Sequence, residues 1–353
     1  MKEDLSKIFQ IAFVFIGTIV GAGLASGQEI LNFFTSYGLY SFIGIIFCGF
    51  FYIVIGIIAS KISIKYNLNS YAELMNIVSP NILGKLTGVI TTLFMLSSAS
   101  IILAGSGALL NQFFGIPKII GSLIMMGFSI FFLLRDTDGL IEVNSFIVPI
   151  LIFTVTIITA LYFLFCKDML SFDFITKFEP RKTGIVLSTL LYTAYNATSS
   201  CGVIVPLSNQ IKKPKIMILG VFLGAIGLAA LSFVVNLLLM INQPYVYEYE
   251  IPLLLVAQRF GTIIQALLLT VILLEMFSTE VSDVYSISKT LNRIFKIKFN
   301  NAIFLVILIA FPISTIGFSN LIKTLYPLFG GLSLLFIFQT ILFYLKNKKE
   351  ING

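Results

Sequence analysis

The most constraining feature of this sequence is a succession of long apolar stretches separated by short polar segments. A helix needs about 20 mostly apolar residues to cross the hydrocarbon core of a bilayer. Charged residues make up only 11% of the 353 residues, whereas soluble domains carry about 25%. This composition excludes an ordinary soluble enzyme. We predict an all-α integral membrane protein with ten transmembrane helices, at residues 8–36, 40–61, 83–113, 117–134, 143–165, 184–211, 215–241, 261–288, 301–318 and 322–345.

The lysine and arginine residues are divided unequally between the two sides that these spans define. Of the 23 basic residues, 16 lie on the side of both termini and 7 on the other. Because cytoplasmic loops carry the excess of basic residues, we predict a multi-pass protein of the cell membrane with both termini in the cytoplasm. The net charge of +7 reflects this bias and gives no reason to expect nucleic acid. The expected partners are the lipid bilayer and a small solute, and the expected state is a monomer or a homodimer.

Several segments between the spans are predicted to lie outside the membrane. Residues 68–79 and 247–260 have the length of short amphipathic helices that lie along the protein or the membrane interface. The charged stretch 167–182 is predicted to be an extracellular linker, and the turn at 135–138 is expected to be solvated. The chain is thereby divided into a first five-helix repeat at 1–166, the linker, a second five-helix repeat at 183–346 and a cytoplasmic tail at 347–353.

The two halves share features at an offset of about 181 residues. Because each half has an odd number of spans, the second copy of a duplicated unit must insert upside down, which is a common construction among transporters. The corresponding features are Gly21 and Gly202, the short helices at 68–79 and 249–260, and the pairs Ser97-Ser98 and Ser278-Thr279. We therefore predict an inverted 5+5 repeat.

The first and sixth spans contain residues that disfavour a continuous helix. The first span has glycines at positions 17, 21, 23 and 27, and Ser26-Gly-Gln-Glu29 has the S-x-x-E pattern of a capping box, which begins a helix. The sixth span has small or polar residues throughout 196–202, followed by Pro206. An alternative is that the glycines pack an unbroken first helix closely against a neighbour. Two interrupted spans at equivalent positions predict breaks at mid-membrane, near 20–25 and 196–202, and a binding site between them.

The stretch Gly21-Ala-Gly-Leu-Ala-Ser-Gly-Gln-Glu-Ile30, with Phe33-Phe34 and Tyr37-Gly38 after it, resembles the YkvI-like bacterial amino-acid permeases. These are similar to the amino acid–polyamine–organocation superfamily, with its LeuT-type fold of ten core spans. The resemblance implies transport of a small amino-acid-like solute across the cell membrane. It also implies a Na⁺ site between the first and eighth spans, which falls here on Gly17, Val20, Ser278 and Thr279. The chain departs from the family pattern at Glu275, where a small neutral residue is expected.

The predicted site combines the interrupted spans with polar faces of the third and eighth spans. Glu275 lies near mid-bilayer, where a carboxyl group is costly and marks an ion or proton route, so Glu275 and Glu280 are the candidates for proton coupling. Helix N-termini near 23–26 and 199–202 are expected to attract a substrate carboxylate. Glu29 is interpreted mainly as the capping partner of Ser26. The candidate substrate-binding residues are Val20, Gly21, Ala22, Gly23, Ser97, Ser98, Asn196, Ala197, Thr198, Ser199 and Ser200.

Three classes of function remain to be compared. A secondary transporter coupled to Na⁺ or H⁺ is the leading hypothesis, since the sequence has no G-x-x-x-x-G-K-[ST] nucleotide-binding loop. A solute-sensing receptor subunit of the same fold, without net transport, is the alternative. An enzyme is not expected, because the chain lacks histidine and any nucleophile constellation in a water-accessible loop. No cofactor is predicted other than a coupling Na⁺.

Overall fold

The computed structural model describes the backbone of residues 2–79, 82–134, 140–171 and 175–352, and within these residues all regular structure is helical. The turn at 135–138, which the sequence predicts to be solvated, lies outside the described residues. Fourteen α-helices in the described part are numbered here in chain order. Those of the first half are α1 (Lys2–Ser26), α2 (Gln28–Phe33), α3 (Tyr40–Tyr66), α4 (Tyr71–Val78), α5 (Ile82–Phe114), α6 (Lys118–Leu133) and α7 (Leu140–Phe165).

The second half repeats this order of long and short helices. Its elements are α8 (Ile185–Ile211), α9 (Pro214–Ile241), α10 (Pro252–Gln258), α11 (Thr262–Phe295), α12 (Phe299–Ser314), α13 (Phe318–Lys346) and α14 (Lys348–Asn352). Three short 3₁₀ helices complete the described structure, at Thr35–Tyr37, Lys167–Leu170 and Tyr245–Glu248. The short helices α4 and α10 occupy the two positions where the sequence predicts interfacial helices.

Local sequence explains where several helices begin and end. Ser70 caps α4, because its hydroxyl accepts the backbone N–H of Glu73 at 3.3 Å. Asn67 ends α3 in the left-handed conformation, with φ of 52°. Lys212 ends α8 in the same way, and Pro214 then occupies the first turn of α9, where a missing N–H carries no penalty.

Seven described helical segments are long and apolar enough to cross a membrane: Asp4–Ser26, Tyr40–Tyr66, Leu93–Phe114, Ile147–Phe165, Pro214–Ile241, Thr262–Lys289 and Phe318–Lys346. The helices α6 and α12 are apolar but shorter. Helix α8 has 27 residues and a polar centre. The prediction of an all-helical, multi-pass membrane protein is confirmed, and a helix lies at each of the ten predicted spans. Ten crossings remain a prediction.

The interruption predicted near 20–25 coincides with backbone angles that no helix contains. Gly21 has φ of 42° and ψ of −171° within α1, a combination that is open essentially only to glycine. A second departure occurs at Gly27, which is left-handed with φ of 82° and separates α1 from α2. The first span is therefore divided into three helical pieces that change direction at these glycines.

The interruption predicted at 196–202 is wrong for this structure, because α8 continues through these residues as one helix. Two of its polar side chains, Asn196 and Ser200, bond back to the backbone of the same helix instead of opening it. Asn196 Nδ2 donates to the carbonyl of Tyr192 at 3.1 Å, and the Ser200 hydroxyl donates to the carbonyl of Ala197 at 2.8 Å. Small and polar residues lower the cost of unwinding a helix, but here the backbone bonds remain and the side chains supplement them.

Candidate functional site

A cavity of about 330 Å³ lies among six helices of the bundle. It is on the half of the molecule that carries α4, the half for which the sequence predicts a cytoplasmic location. Gly17 and Thr18, one turn before the non-helical Gly21, form part of its wall. The other lining residues are Tyr71, Met75, Ile90, Phe94, Met95, Thr198, Ser199, Gly202, Val203, Thr279, Ser282, Asp283, Ser286, Phe329, Leu332, Ser333 and Phe336.

The lining combines apolar and aromatic surface with a few polar groups, as is typical of small-molecule sites. One carboxyl group, that of Asp283, is part of the wall, and no lysine or arginine is among the described lining residues. The Oγ1 atom of Thr198 is buried and has no hydrogen-bond partner among the described residues. Gly202 faces open space, since a Cβ atom at this position would have no neighbour within 4 Å. The cavity therefore has free volume, free acceptors and one acidic group.

Helix α11 carries three acidic side chains in or near this site. Asp283 lies beside Ser98 of α5, and its Oδ2 atom has no partner in the described chain. Glu280 is fully buried, and neither of its carboxylate oxygens has a partner among the described residues. Glu275 is 1% exposed, and its Oε1 atom is likewise unpartnered there. Buried carboxyl groups without a cationic partner are costly and mark ion or proton routes inside membranes.

The end of the bundle that carries α2 and α10 is closed. Every residue of α2 is buried. Gln28 Nε2 donates to Ser319 Oγ of α13 at 2.6 Å. Gly27 packs beneath Leu253 of α10 so closely that a Cβ atom there would lie 2.9 Å from Leu253 Cγ. Contacts from both sides thus hold α2 in place over the inner part of the bundle.

The chain between α7 and α8 adds a second layer at this end. The backbone N–H groups of Arg181 and Lys182 both donate to the carbonyl of Ser36, at 2.8 and 3.0 Å, and Lys182 Nζ donates to the carbonyl of Asn32 at 3.1 Å. The Arg181 guanidinium carbon lies 3.7 Å from the ring centre of Tyr247. Burial raises the pKa of Tyr247, as expected for a hydroxyl group that water reaches poorly. This layer ties the segment before α8 to α2 and the chain that follows it, at the end opposite the cavity.

Glu29 does not form the predicted capping box with Ser26. The Ser26 hydroxyl accepts the backbone N–H of Gln28 at 3.2 Å, and it donates to the carbonyl of Gly23 at 2.9 Å. The Glu29 side chain instead folds over Gly23 and accepts a hydrogen bond of 2.5 Å from the Tyr326 hydroxyl of α13. The reason is that Gly27 is left-handed, so Ser26 and Glu29 do not lie on the same turn of one helix. The carboxyl group is 2% exposed, and its Oε2 atom has no partner in the described structure.

A stack of aromatic rings separates Glu29 from the cavity. Phe94, which lines the cavity, lies 4.7 Å from the ring of Tyr195 of α8. Tyr195 stacks on Tyr326 at 4.0 Å with an angle of 20° between the rings, and Phe33 covers Tyr326 at 6.0 Å. Tyr195 and Tyr326 thus lie between the cavity and Glu29.

Four of the residues predicted for the site line the cavity, namely Gly17, Thr198, Ser199 and Thr279. The remaining predicted residues do not line it: Val20, Gly21, Ala22, Gly23, Ser97, Ser98, Asn196, Ala197, Ser200, Glu275, Ser278 and Glu280. The Na⁺ site therefore stays a prediction. In this structure Thr279 Oγ1 donates a hydrogen bond to the carbonyl of Glu275 at 2.9 Å.

Sequence reasoning missed two carboxyl groups. Asp283 is not among the predicted site residues, although it lies two turns after Glu275 and one turn after Thr279 on the same helix face. That spacing was the signal for it. Glu29 had no such signal, because its partner Tyr326 is 297 positions away in the chain.

No family model matches the chain. Three solved structures share its arrangement of helices. They are a manganese transporter of Eremococcus coleocola (TM-score 0.66, 16% identity, 95% of this chain and 78% of that one), the nucleobase-cation-symport-1 family transporter Mhp1 (0.63, 11%, 93% and 77%), and MhsT in complex with L-phenylalanine (0.67, 14%, 93% and 87%). The chain is thus a multi-pass membrane protein with a LeuT-type fold.

Two relatives with similar sequences show which family of membrane proteins the chain belongs to. The chain is 31% identical over 337 residues to the membrane protein YkvI of Bacillus subtilis (strain 168), with 96% of each chain covered. It is also 23% identical over 334 residues to the protein YyaD of the same organism. The protein belongs to the YkvI family, and the resemblance inferred from the first span is confirmed.

Proposed function

We propose that the protein is a secondary transporter that moves a small amino-acid-like solute across the cell membrane by alternating access. The observation that carries the proposal is the cavity beside the non-helical Gly21, with polar groups inside it and a closed layer at the opposite end. In this proposal the structure represents the state closed to the outside. The manganese transporter, the cation symporter and the L-phenylalanine complex among its structural neighbours support a transport role for the same fold.

The arrangement of the chain in the membrane is part of the proposal. The repeated order of long and short helices supports ten crossings and an inverted 5+5 repeat, and the excess of basic residues on the side of the termini supports a cytoplasmic location for both. The first repeat comprises residues 1–166 and the second comprises residues 183–346, with an extracellular linker between them and a cytoplasmic tail at 347–353. We expect a monomer or a homodimer.

Transport is tested with purified protein in proteoliposomes to which radiolabelled solutes are added from outside. Uptake that exceeds the level of protein-free vesicles and depends on an imposed ion gradient supports the proposal. High-affinity binding without any uptake or exchange contradicts it and supports the receptor alternative. A first screen of amino acids and amines by thermal shift, with and without Na⁺, selects the solutes to be tested.

The coupling ion is proposed to be Na⁺ or H⁺, and one set of variants separates the two. If Na⁺ binds at Gly17, Val20, Ser278 and Thr279, then the double change Ser278→Ala with Thr279→Ala should weaken the dependence of uptake on Na⁺. If Glu275 or Glu280 carries the proton, then Glu275→Gln or Glu280→Gln should abolish accumulation driven by a pH gradient and preserve exchange of solute for solute. Unchanged gradient-driven uptake in all of these variants would exclude α11 as the coupling helix.

A further inference from the structure

We propose that the cavity selects an organic ammonium ion that lacks a carboxylate group, with Asp283 as its anionic partner. This inference rests on the proposed function and narrows the solute from an amino-acid-like compound to an amine with an apolar body. It is drawn from the charges on the cavity wall, from the backbone next to it and from the rings that surround it.

No side chain of the described wall carries a positive charge that would balance a carboxylate. The described lining contains Asp283 and no lysine, arginine or histidine. An amino acid would therefore place its carboxylate near Asp283 without a cationic partner, and both desolvation and repulsion between like charges oppose this. An amine places only its ammonium group there.

Neither of the helix N-termini expected to bind a carboxylate is available. Helix α8 is continuous through 199–202, so its backbone N–H groups are bonded within the helix. The N-terminus of α2 lies under Leu253, where the N–H of Gln28 already donates to Ser26 Oγ, and neither α2 nor the turn after Gly21 is part of the cavity lining. The site therefore lacks a helix N-terminus that would bind the carboxylate group of an amino acid.

The same wall fits an ammonium group with an apolar body. Asp283 and Thr198 both belong to the wall, and the Oδ2 atom of Asp283 and the Oγ1 atom of Thr198, buried within it, have no hydrogen-bond partners among the described residues. Both are therefore unused acceptors for an ammonium group that reaches them. The aromatic rings of Phe94, Phe329 and Phe336 line the same space. Aromatic faces attract cations and also cover apolar groups. A volume of about 330 Å³ is enough for one small amine and its hydration.

Glu280 strengthens the preference for a positive solute. It lies one turn before Asp283, is fully buried, and has no hydrogen-bond partner for either carboxylate oxygen in the described chain. An entering cation therefore meets the carboxyl group of Asp283 in the wall, with the buried Glu280 one turn behind it, whereas an anion meets no basic group in the described lining.

The test compares pairs of solutes that differ only by a carboxylate group. Purified full-length protein in nanodiscs is titrated with 2-phenylethylamine and L-phenylalanine, and with isoamylamine and L-leucine. We expect each amine to bind at least about tenfold more tightly than its amino acid, and Asp283→Asn to lower amine affinity by about tenfold or more, as for loss of a charged hydrogen bond. Asp168→Asn, at an exposed aspartate outside the cavity, is the matched control and should change nothing. Asp283→Glu keeps the charge and should retain amine binding, which guards against a folding defect in the asparagine variant.

Three results would overturn the inference: amino acids that bind as tightly as the amines, amine affinity unchanged in Asp283→Asn, or no binding of either class at millimolar concentration. Uptake experiments separate this failure from failure of the proposed function. Transport of the amino acid without the amine refutes the amine preference and leaves transport standing. Selective amine binding without uptake of any solute supports the preference and refutes transport.

Discussion

Replacing Gly23 by alanine should destabilise the protein, because the Glu29 side chain occupies the space that a Cβ atom would take. Three atoms of Glu29 would lie within 3.0 Å of that Cβ, closer than real Cβ atoms approach their neighbours. Gly23 does not have a positive φ. The loss of unfolding free energy would therefore come from the lack of space for the methyl group and not from backbone strain. Pushing Glu29 aside breaks its bond to Tyr326 and leaves two buried polar groups unpaired. We expect a loss of about 1–3 kcal/mol from the broken bond and a similar amount from overpacking.

A double-mutant cycle measures this effect. The free energies of unfolding of the wild type, Gly23→Ala, Glu29→Ala and the double variant are determined by denaturant titration in mixed micelles. Once Glu29 is shortened to alanine, the three atoms nearest to the added methyl group are gone, so the second change should cost much less. We expect a coupling energy of about 2 kcal/mol between the two positions, within the range for residues in contact. Gly127→Ala is the control, since a Cβ atom there has no neighbour within 4 Å.

The reasoning is refuted if the two changes are additive to within about 0.5 kcal/mol, the usual limit for independent sites. Additivity would mean that Glu29 does not lie over Gly23, and that the contact between α2 and α13 is held by other groups. Equal losses in Gly23→Ala and in the Gly127→Ala control would lead to the same conclusion.

Three further changes address other parts of the molecule. Gly21→Ala should cost about 1–3 kcal/mol of unfolding free energy, because its backbone angles are strained for any side chain; unaltered stability would show that α1 can straighten there. Gly202→Phe should lower solute affinity at least tenfold while stability changes by no more than about 0.5 kcal/mol, since its side chain would project into open space; unaltered affinity would place the solute elsewhere. Asn236→Ala should cost about 1–3 kcal/mol, because Asn236 accepts from Thr35 at 2.8 Å and donates to Ser41 at 2.7 Å; a smaller loss on denaturant titration would mean that these hydroxyl groups find other partners.

Much of the fold follows from the linear sequence alone. The length of the apolar stretches determines the number and position of the long helices, because a helix in lipid must satisfy its own backbone groups. The sequence also predicts where the backbone of α1 is irregular, since φ of 42° at position 21 requires glycine. The hydroxyl groups of Thr198, Ser199 and Thr279 could be assigned to the site for a similar reason, because polar groups are placed inside a membrane helix only at a cost.

The continuity of α8 and the surroundings of the carboxyl groups were decided by tertiary structure. Asn196 and Ser200 can either open a helix or bond back to it, and the choice depends on what packs around them. Helical periodicity places Asp283 on the same face as Glu275, but only the packing of α11 against its neighbours determines that Asp283 reaches the cavity while Glu275 is buried. Glu29 is the clearest case, because its local pattern predicts a helix cap, whereas a tyrosine 297 positions away takes its carboxyl group. A buried polar group goes to the partner that satisfies it best, and that partner is chosen by the assembled helices.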